Sequence, residues 1–201
     1  MLPEPIHNAA AAFDSLPGVG PRAALRYAYW LMTQPKEVIA KFAKQIEGLA
    51  SQVTICQICF QWADQSPCSL CRDPGRDQTS LCVVATSQEV RMIEETGVFK
   101  GRYHVLGGTL DPLEGRTPET LKIMQLMTRI AEPGTPVREI ILALDADIKG
   151  DTTALYLRKQ LANTPVKITR LARGLPNGAA LEYADANTLA DALLNRKETK
   201  E

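Results

Sequence analysis

Four of the five cysteines fall within sixteen residues, as Cys56-Gln-Ile-Cys59, eight intervening residues, and Cys68-Ser-Leu-Cys71. Two such hooks joined by a short loop can set four thiolates at the corners of a tetrahedron. That is the closed geometry of a structural zinc ion, with no position left for water. The segment is rich in polar and turn residues, with Gln65, Ser66 and Pro67 between the hooks and Arg72, Asp73, Pro74 and Gly75 after them. It has too few apolar side chains to fold alone, so metal binding must supply that free energy. The alternative is a pair of disulfides, which requires an oxidising compartment. Nothing else in the chain points to one. The expectation is one structural zinc ion per chain, held by Cys56, Cys59, Cys68 and Cys71.

Redox compartment is the reason to consult composition. The chain begins Met1-Leu-Pro-Glu-Pro, without the basic start and apolar core of a secretory signal. No apolar run approaches a membrane span, so no membrane partner is expected and the protein reads as cytoplasmic. Lysine plus arginine equals aspartate plus glutamate at 23 each, so any nucleic-acid site must come from local arrangement rather than net charge. The 201 residues leave room for one large domain or two small ones.

The N-terminal third reads as helices. An Ala-rich helix over 8–16 is broken by Pro17-Gly18-Val19-Gly20-Pro21, and Pro21 suits the first position of the next helix. There Leu25, Ala28, Tyr29 and Met32 recur at helical spacing as one apolar face, while Arg22 and Arg26 share another. A Gly-x-Gly hairpin followed by a helix whose N-terminus carries two arginines can bind phosphate. The glycines admit backbone N–H groups, and the helix end and arginines add positive charge. The competing reading is a structural turn between packed helices. A third helix follows Pro35, and Val38, Phe42, Ile46 and Leu49 are expected to face the first two. Phe60 and Trp62, between the cysteine hooks, are expected to cover the metal site rather than stack on a base.

After Asp77 strands and helices alternate. Strands are expected at 81–84, 103–106, 140–144 and 166–171. Helices are expected at 87–95 (capped by Ser87 and stopped by Gly97), after Thr117-Pro118, and at 152–162. That order implies a parallel sheet covered by helices on both faces. Cys82 and His104 are expected to be structural. Just past the carboxyl end of the most apolar strand lies Asp145-Ala-Asp147-Ile-Lys-Gly150-Asp151, where open α/β sheets place ligands. Asp145, Asp147 and Asp151 can offer magnesium oxygen ligands. Alternatively Asp151 caps the following helix and the other two are solvated.

Several segments together resemble the RecR family of bacterial recombination mediators. Leu16-Pro-Gly-Val-Gly-Pro-Arg22 through Arg26 is similar to its helix-hairpin-helix. The C-x2-C-x8-C-x2-C spacing, followed by Arg72-Asp-Pro and Cys82-Val-Val, resembles its zinc finger and the start of its Toprim domain. Tyr103-His-Val-Leu-Gly-Gly, Pro112-Leu-Glu-Gly115, Ala154-Leu-Tyr-Leu157, Gly174-Leu-Pro-Asn-Gly178 and Leu181-Glu-Tyr-Ala-Asp185 follow in the family's order. The resemblance covers nearly the whole chain. It implies a multidomain α/β protein: a helix-hairpin-helix domain over 1–53, a four-cysteine zinc finger over 54–78, a Toprim domain over 79–172 and a C-terminal segment over 173–201. It also implies a non-enzymatic DNA-repair factor that forms a ring-like homo-oligomer, a dimer or tetramer, clamping DNA. Such a factor acts with RecO and RecF to load the recombinase RecA onto single-stranded DNA at gaps. Gly18, Gly20, Arg22 and Arg26 match the DNA-contacting hairpin. The region of Asp145, Asp147 and Asp151 matches the face that meets RecO, and the segment from Gly174 takes part in subunit contacts.

Two departures bear on chemistry. Ala85 stands at the end of the first Toprim strand, where the family usually carries a glutamate, the group that Toprim enzymes use for proton transfer. The Asp145-x-Asp147 pair is closer to the metal-binding motif of true Toprim enzymes, but Lys149 adds a positive charge that should weaken a divalent ion there. The expectation is a docking surface with at most weak magnesium binding. The competing classes are a Toprim-type metal-dependent nuclease or primase-like enzyme, and a zinc-bearing interaction module with no DNA role.

Overall fold

In a computed structural model, which describes residues 2–198, the backbone divides into two compact units that meet between Val53 and Thr54. In the first, α1 (Glu4–Asp14), α2 (Pro21–Met32) and α3 (Lys36–Gln52) are joined by short turns. α1 starts four residues before the expected helix, with Pro5 inside its first turn, a position that needs no N–H donor. α2 opens on Pro21 as expected.

Two expected faces in this unit are not the observed ones. The residues of α2 that become buried are Ala24 and Ala28, whereas Tyr29 and Met32 are largely exposed. The contact with α1 is made through small side chains, with Phe13 of α1 edge-on to Tyr27 of α2 at 6.0 Å. The stripe on α3 is not covered either. Val38, Phe42, Ile46 and Leu49 all remain at least 40% exposed. Helical spacing reveals an amphipathic face but not what packs against it.

The second unit begins with a small antiparallel hairpin, β1 (Thr54–Ile55) with β2 (Trp62–Ala63), and a single turn of helix, α4 (Ser69–Arg72). A four-stranded parallel sheet follows, built from β3 (Ser80–Val84), β4 (Arg102–Val105), β5 (Glu139–Ala143) and β6 (Lys167–Arg170) in the order β4-β3-β5-β6. The connecting helices are α5 (Ser87–Glu95), α6 (Ile123–Ala131) and α7 (Ile148–Gln160), and α8 (Ala186–Leu194) lies near the C-terminus. The last three residues of the expected C-terminal segment lie outside the described residues. This is the expected mixed α/β architecture. Among the described residues no helix is long and apolar enough to cross a membrane.

The two faces of the sheet follow from strand alternation. Leu81 and Val83 of β3, with Ile140 and Leu142 of β5, point to one core beneath α6 and α7, where Leu126 and Leu157 are fully buried. Cys82 and Val84, with Tyr103, Val105 and Ala143, point to the other core. Here the cover is only partly helical. Val90 of α5 shares it with Cys56, Cys59 and Cys68. α5 is capped by Thr86 rather than Ser87, in a capping box with Glu89. The Ser87 hydroxyl instead accepts the Trp62 backbone N–H at 3.0 Å and so ties the hairpin to α5.

His104 lies fully buried in β4. Its Nε2 donates to the Lys122 carbonyl at 2.8 Å, and its Nδ1 has no partner. Burial pushes its pKa down to about 4 from an ordinary 6.5. Between those values the unfolded chain takes up a proton that the folded chain refuses, so stability falls as pH drops from 6.5 to 4. The size of that loss is about 3 kcal/mol. Chemical denaturation at the two pH values should show wild type losing about that much more than His104→Gln, which does not titrate; parallel losses would mean that His104 is not the source.

Candidate nucleic-acid interface and metal centre

The four cysteines of the two hooks converge. Their sulfurs all lie within 4.8 Å of one another, and no other set of three or more such ligand side chains converges among the described residues. Cys59 Sγ and Cys68 Sγ are 3.6 Å apart, close to the separation of about 3.8 Å set by a tetrahedron with zinc–sulfur bonds of about 2.3 Å. A disulfide would need about 2.05 Å. All five cysteines are free thiols, and Cys56, Cys59 and Cys68 are buried. The set therefore fits a structural tetrahedral ion and not paired disulfides.

Donors aimed at the sulfurs fit thiolates. The Cys68 N–H points to Cys56 Sγ at 3.4 Å, and the Gln61 side-chain amide to Cys68 Sγ at 2.9 Å. The pairing of Cys59 with Cys71 splits their acidities, bringing the Cys71 thiol down and pushing the Cys59 thiol up, and the nearby Arg129 charge also favours the Cys71 thiolate. Cys82 is no ligand. Burial in the sheet pushes its thiol up to about 12, as expected of a packing residue.

Two arginines that spacing did not single out fasten the knuckle to the sheet. Arg102 donates to the carbonyls of Leu70 (3.1 Å), Cys71 (2.5 Å) and Asp73 (3.1 Å). Arg129 of α6 donates to Tyr103 at 2.8 Å and to Ile58 at 3.4 Å. The Val105 N–H adds a bond to the Cys59 carbonyl at 2.8 Å. Phe60 covers the site as expected, edge-on to His104 at 5.2 Å. Trp62 does not, being 72% exposed beside its cross-strand partner Ile55. A two-residue strand cannot turn both faces inward.

In the hairpin of the first unit, Gly18 has a φ of +78°, which a side chain would strain, and Gly20 has an extended backbone. Nothing lies within 4 Å of a Cβ added at either, so the backbone there faces open space. Gly20 brings no side chain to cap α2, which leaves N–H groups of the first turn without a side-chain acceptor. Arg22 and Arg26 are on the surface, and Arg26 lies 5.6 Å from the Tyr27 ring centre. The arrangement can receive a phosphate by the helix end and the two guanidinium groups together.

At the carboxyl end of the sheet the acidic loop is arranged differently from the expectation. β5 ends at Ala143, before Asp145. Asp147, not Asp151, caps α7, accepting the Gly150 N–H at 2.7 Å. Gly150 is required there, since a Cβ would collide with the Asp145 carbonyl oxygen. Asp151 in the first turn of α7 pairs with Arg170 at 2.7 Å and with Arg173, which hold its carboxyl below the ordinary range. Lys149 turns away from these carboxylates, to Asp111 at 2.5 Å and Glu114 at 3.6 Å, and Arg116 joins the same pair. Hydrogen bonding to Lys149 lowers the Asp111 pKa. The three aspartates thus do not form one ligand set. The Ala85 backbone N–H donates to the Glu89 carboxylate at 2.7 Å, so the nearby acid is spent on capping.

Residues 6–49 match the family described as RecR, helix-hairpin-helix, residues 79–172 the Toprim domain, and residues 174–197 the RecR C-terminal family. The chain is 42% identical over 198 residues to recombination protein RecR of Gloeothece citriformis, covering 98% of each protein. It is 41% identical to that of Myxococcus xanthus, covering 98% of this chain and all of the relative. It is 45% identical over 188 residues to that of Geobacter metallireducens, covering 94% and 93%. The chain belongs to the RecR family. Among RecR features, the hairpin and the Toprim sheet are thereby matched, whereas the cysteine knuckle falls between two matched stretches and rests on its geometry.

Metal analysis of the purified protein should find one zinc per chain. Cys68→Ala should abolish it and cost at least about 4 kcal/mol, a fall of roughly 10 °C in unfolding midpoint. Full zinc retention and an unchanged midpoint would exclude Cys68 as a ligand.

Proposed function

We propose that this RecR-family chain is a DNA-binding recombinational repair mediator without catalytic activity of its own. It contacts single-stranded and duplex DNA at gapped junctions through Gly18, Gly20, Arg22 and Arg26. It assembles into a ring-like homo-oligomer, a dimer or tetramer, that clamps DNA. With RecO and RecF it loads RecA onto single-stranded DNA, in the cytoplasm and at the nucleoid. Zinc at Cys56, Cys59, Cys68 and Cys71 is structural. The observation that carries the DNA reading is the glycine hairpin, open at its surface, with Arg22 and Arg26 on the helix it starts. Such contacts give affinity without reading bases.

The loop of Asp145, Asp147 and Asp151 serves as a docking surface for RecO and binds magnesium only weakly. Asp147 is engaged in its cap and Asp151 with two arginines. A nuclease or primase reading has no proton-transfer group where Ala85 stands. Strand cleavage by the pure protein with magnesium, lost in Asp145→Asn, would reverse this assignment.

The DNA reading is tested on a gapped duplex across a salt series, with Arg22→Glu plus Arg26→Glu beside wild type and zinc content and oligomer mass matched. Wild-type affinity should fall steeply with salt. The double variant should bind at least about tenfold more weakly, with a slope flatter by about 0.9 for each duplex phosphate contact removed. Equal affinity and slope would remove the hairpin from the DNA interface.

A further inference from the structure

The protein is electrically neutral overall, yet cations gather at the β6 edge of the sheet. Arg170 of β6 and Arg173 just beyond it pair with Asp151, which neutralises one positive charge, and Arg158 of α7 lines the same groove. Arg158 is exposed and has no ion-pair partner among the described residues. Between α7 and the strands runs an open groove of about 260 Å³, with Leu142, Ala154 and Ile168 along its apolar side and Arg158, Arg170 and the Arg170-paired Asp151 along its polar side. Leu155 is 45% exposed at its mouth.

β6 is the last strand of the sheet, and its outer edge is unpaired among the described residues. The Lys167 N–H is directed inward, to the Arg138 carbonyl at 2.8 Å. By strand alternation Ile168 and Arg170 direct their N–H and C=O groups outward. An open strand edge, a groove with one apolar side and two arginines therefore lie side by side.

We propose that this edge binds an extended acidic peptide segment of a partner protein. The peptide backbone pairs with Ile168 and Arg170, one of its apolar side chains enters the groove, and its carboxylates meet Arg158 and Arg170. A nucleic acid would satisfy the arginines but would leave the strand edge unpaired and the apolar side of the groove wet. The proposal is independent of the DNA reading, which concerns the first unit.

The probe is a fluorescein-labelled ten-residue peptide alternating Asp and Leu, with one version carrying Asn for Asp and another Ser for Leu. Against the zinc-loaded full chain, the acidic peptide should bind with a Kd of about 10 µM or tighter, and each altered version at least about tenfold more weakly. Arg158→Ala plus Arg170→Ala should weaken the acidic peptide by a similar factor while leaving gapped-DNA binding unchanged. Hydrogen exchange at the Ile168 and Arg170 amides should slow on binding. Any of four results would overturn the proposal: no binding up to about 1 mM, equal binding of the altered peptides, displacement by a ten-nucleotide strand with the same amides protected, or full protection of both amides in the free protein. The last would mean that a second copy of the chain already covers the edge. The altered peptides decide the matter even if the arginine variant fails to fold.

Discussion

Three of the four hook sulfurs sit in the same apolar core as Val84, Tyr103 and Val105. The rest of the second unit depends on that fact. In an ordinary doubly covered sheet a helix would fill this space. Here the cover is α5 together with a short knuckle whose own side chains are mostly polar. The knuckle stays in place because its sulfurs converge on one point and because its carbonyls face cations of the sheet domain. Arg102 alone takes three of them. A metal at that point would close the face over Cys82 and Val84. Losing it would expose strand residues as well as loosening a loop.

The segment leading from the knuckle to β3 is fastened in a second way. Arg76 is nearly buried, donates to Glu94 through two nitrogens and to the Gly101 carbonyl at 2.7 Å, and lies 5.4 Å from the Tyr103 ring centre. The Tyr103 hydroxyl also donates to Glu94, at 2.6 Å. Losing Glu94 would leave the nearly buried Arg76 guanidinium without its carboxylate, the costly side of a buried ion pair. Spacing could not reveal such a group. Arg76, Glu94 and Tyr103 are scattered over 28 residues and meet only because α5 packs back on β4. The cysteine hooks were legible for the opposite reason, since their ligands are local and need no long-range folding to be recognised.

The same distinction runs through the carboxyl end of the sheet. The position of the acidic loop could be read from the apolar run before it. The partners of its charges could not, because each comes from another element. Asp111 lies on the β4–α6 connection, and Arg170 and Arg173 lie on or beyond β6. Once the chain is folded, Asp147 is a helix cap and Asp151 a member of an arginine cluster. Lys149 is held by Asp111 and Glu114. A catalytic Toprim centre needs free carboxylates converging on a metal. This end of the sheet spends most of its charges on one another, and Ala85 supplies none. That is the physical content of calling the fold a scaffold rather than an active site.

The first unit poses a different problem. Within residues 2–53 only Ala24 and Ala28 are buried, while Trp30, Met32, Val38, Phe42, Ile46 and Leu49 remain exposed. A chain of this size is near the lower limit for independent folding even with a full core. Two buried alanines bury far less than the roughly 1.5–3 kcal/mol gained for each large apolar side chain removed from water. The helical spacing that produced the stripe on α3 was correct about the helix and wrong about its cover. An apolar stripe left open over three turns is unusual for a stable monomer. Pairing with a like unit would bury the same stripe from both sides, and in the proposed ring the hairpin helices would then be stabilised by assembly.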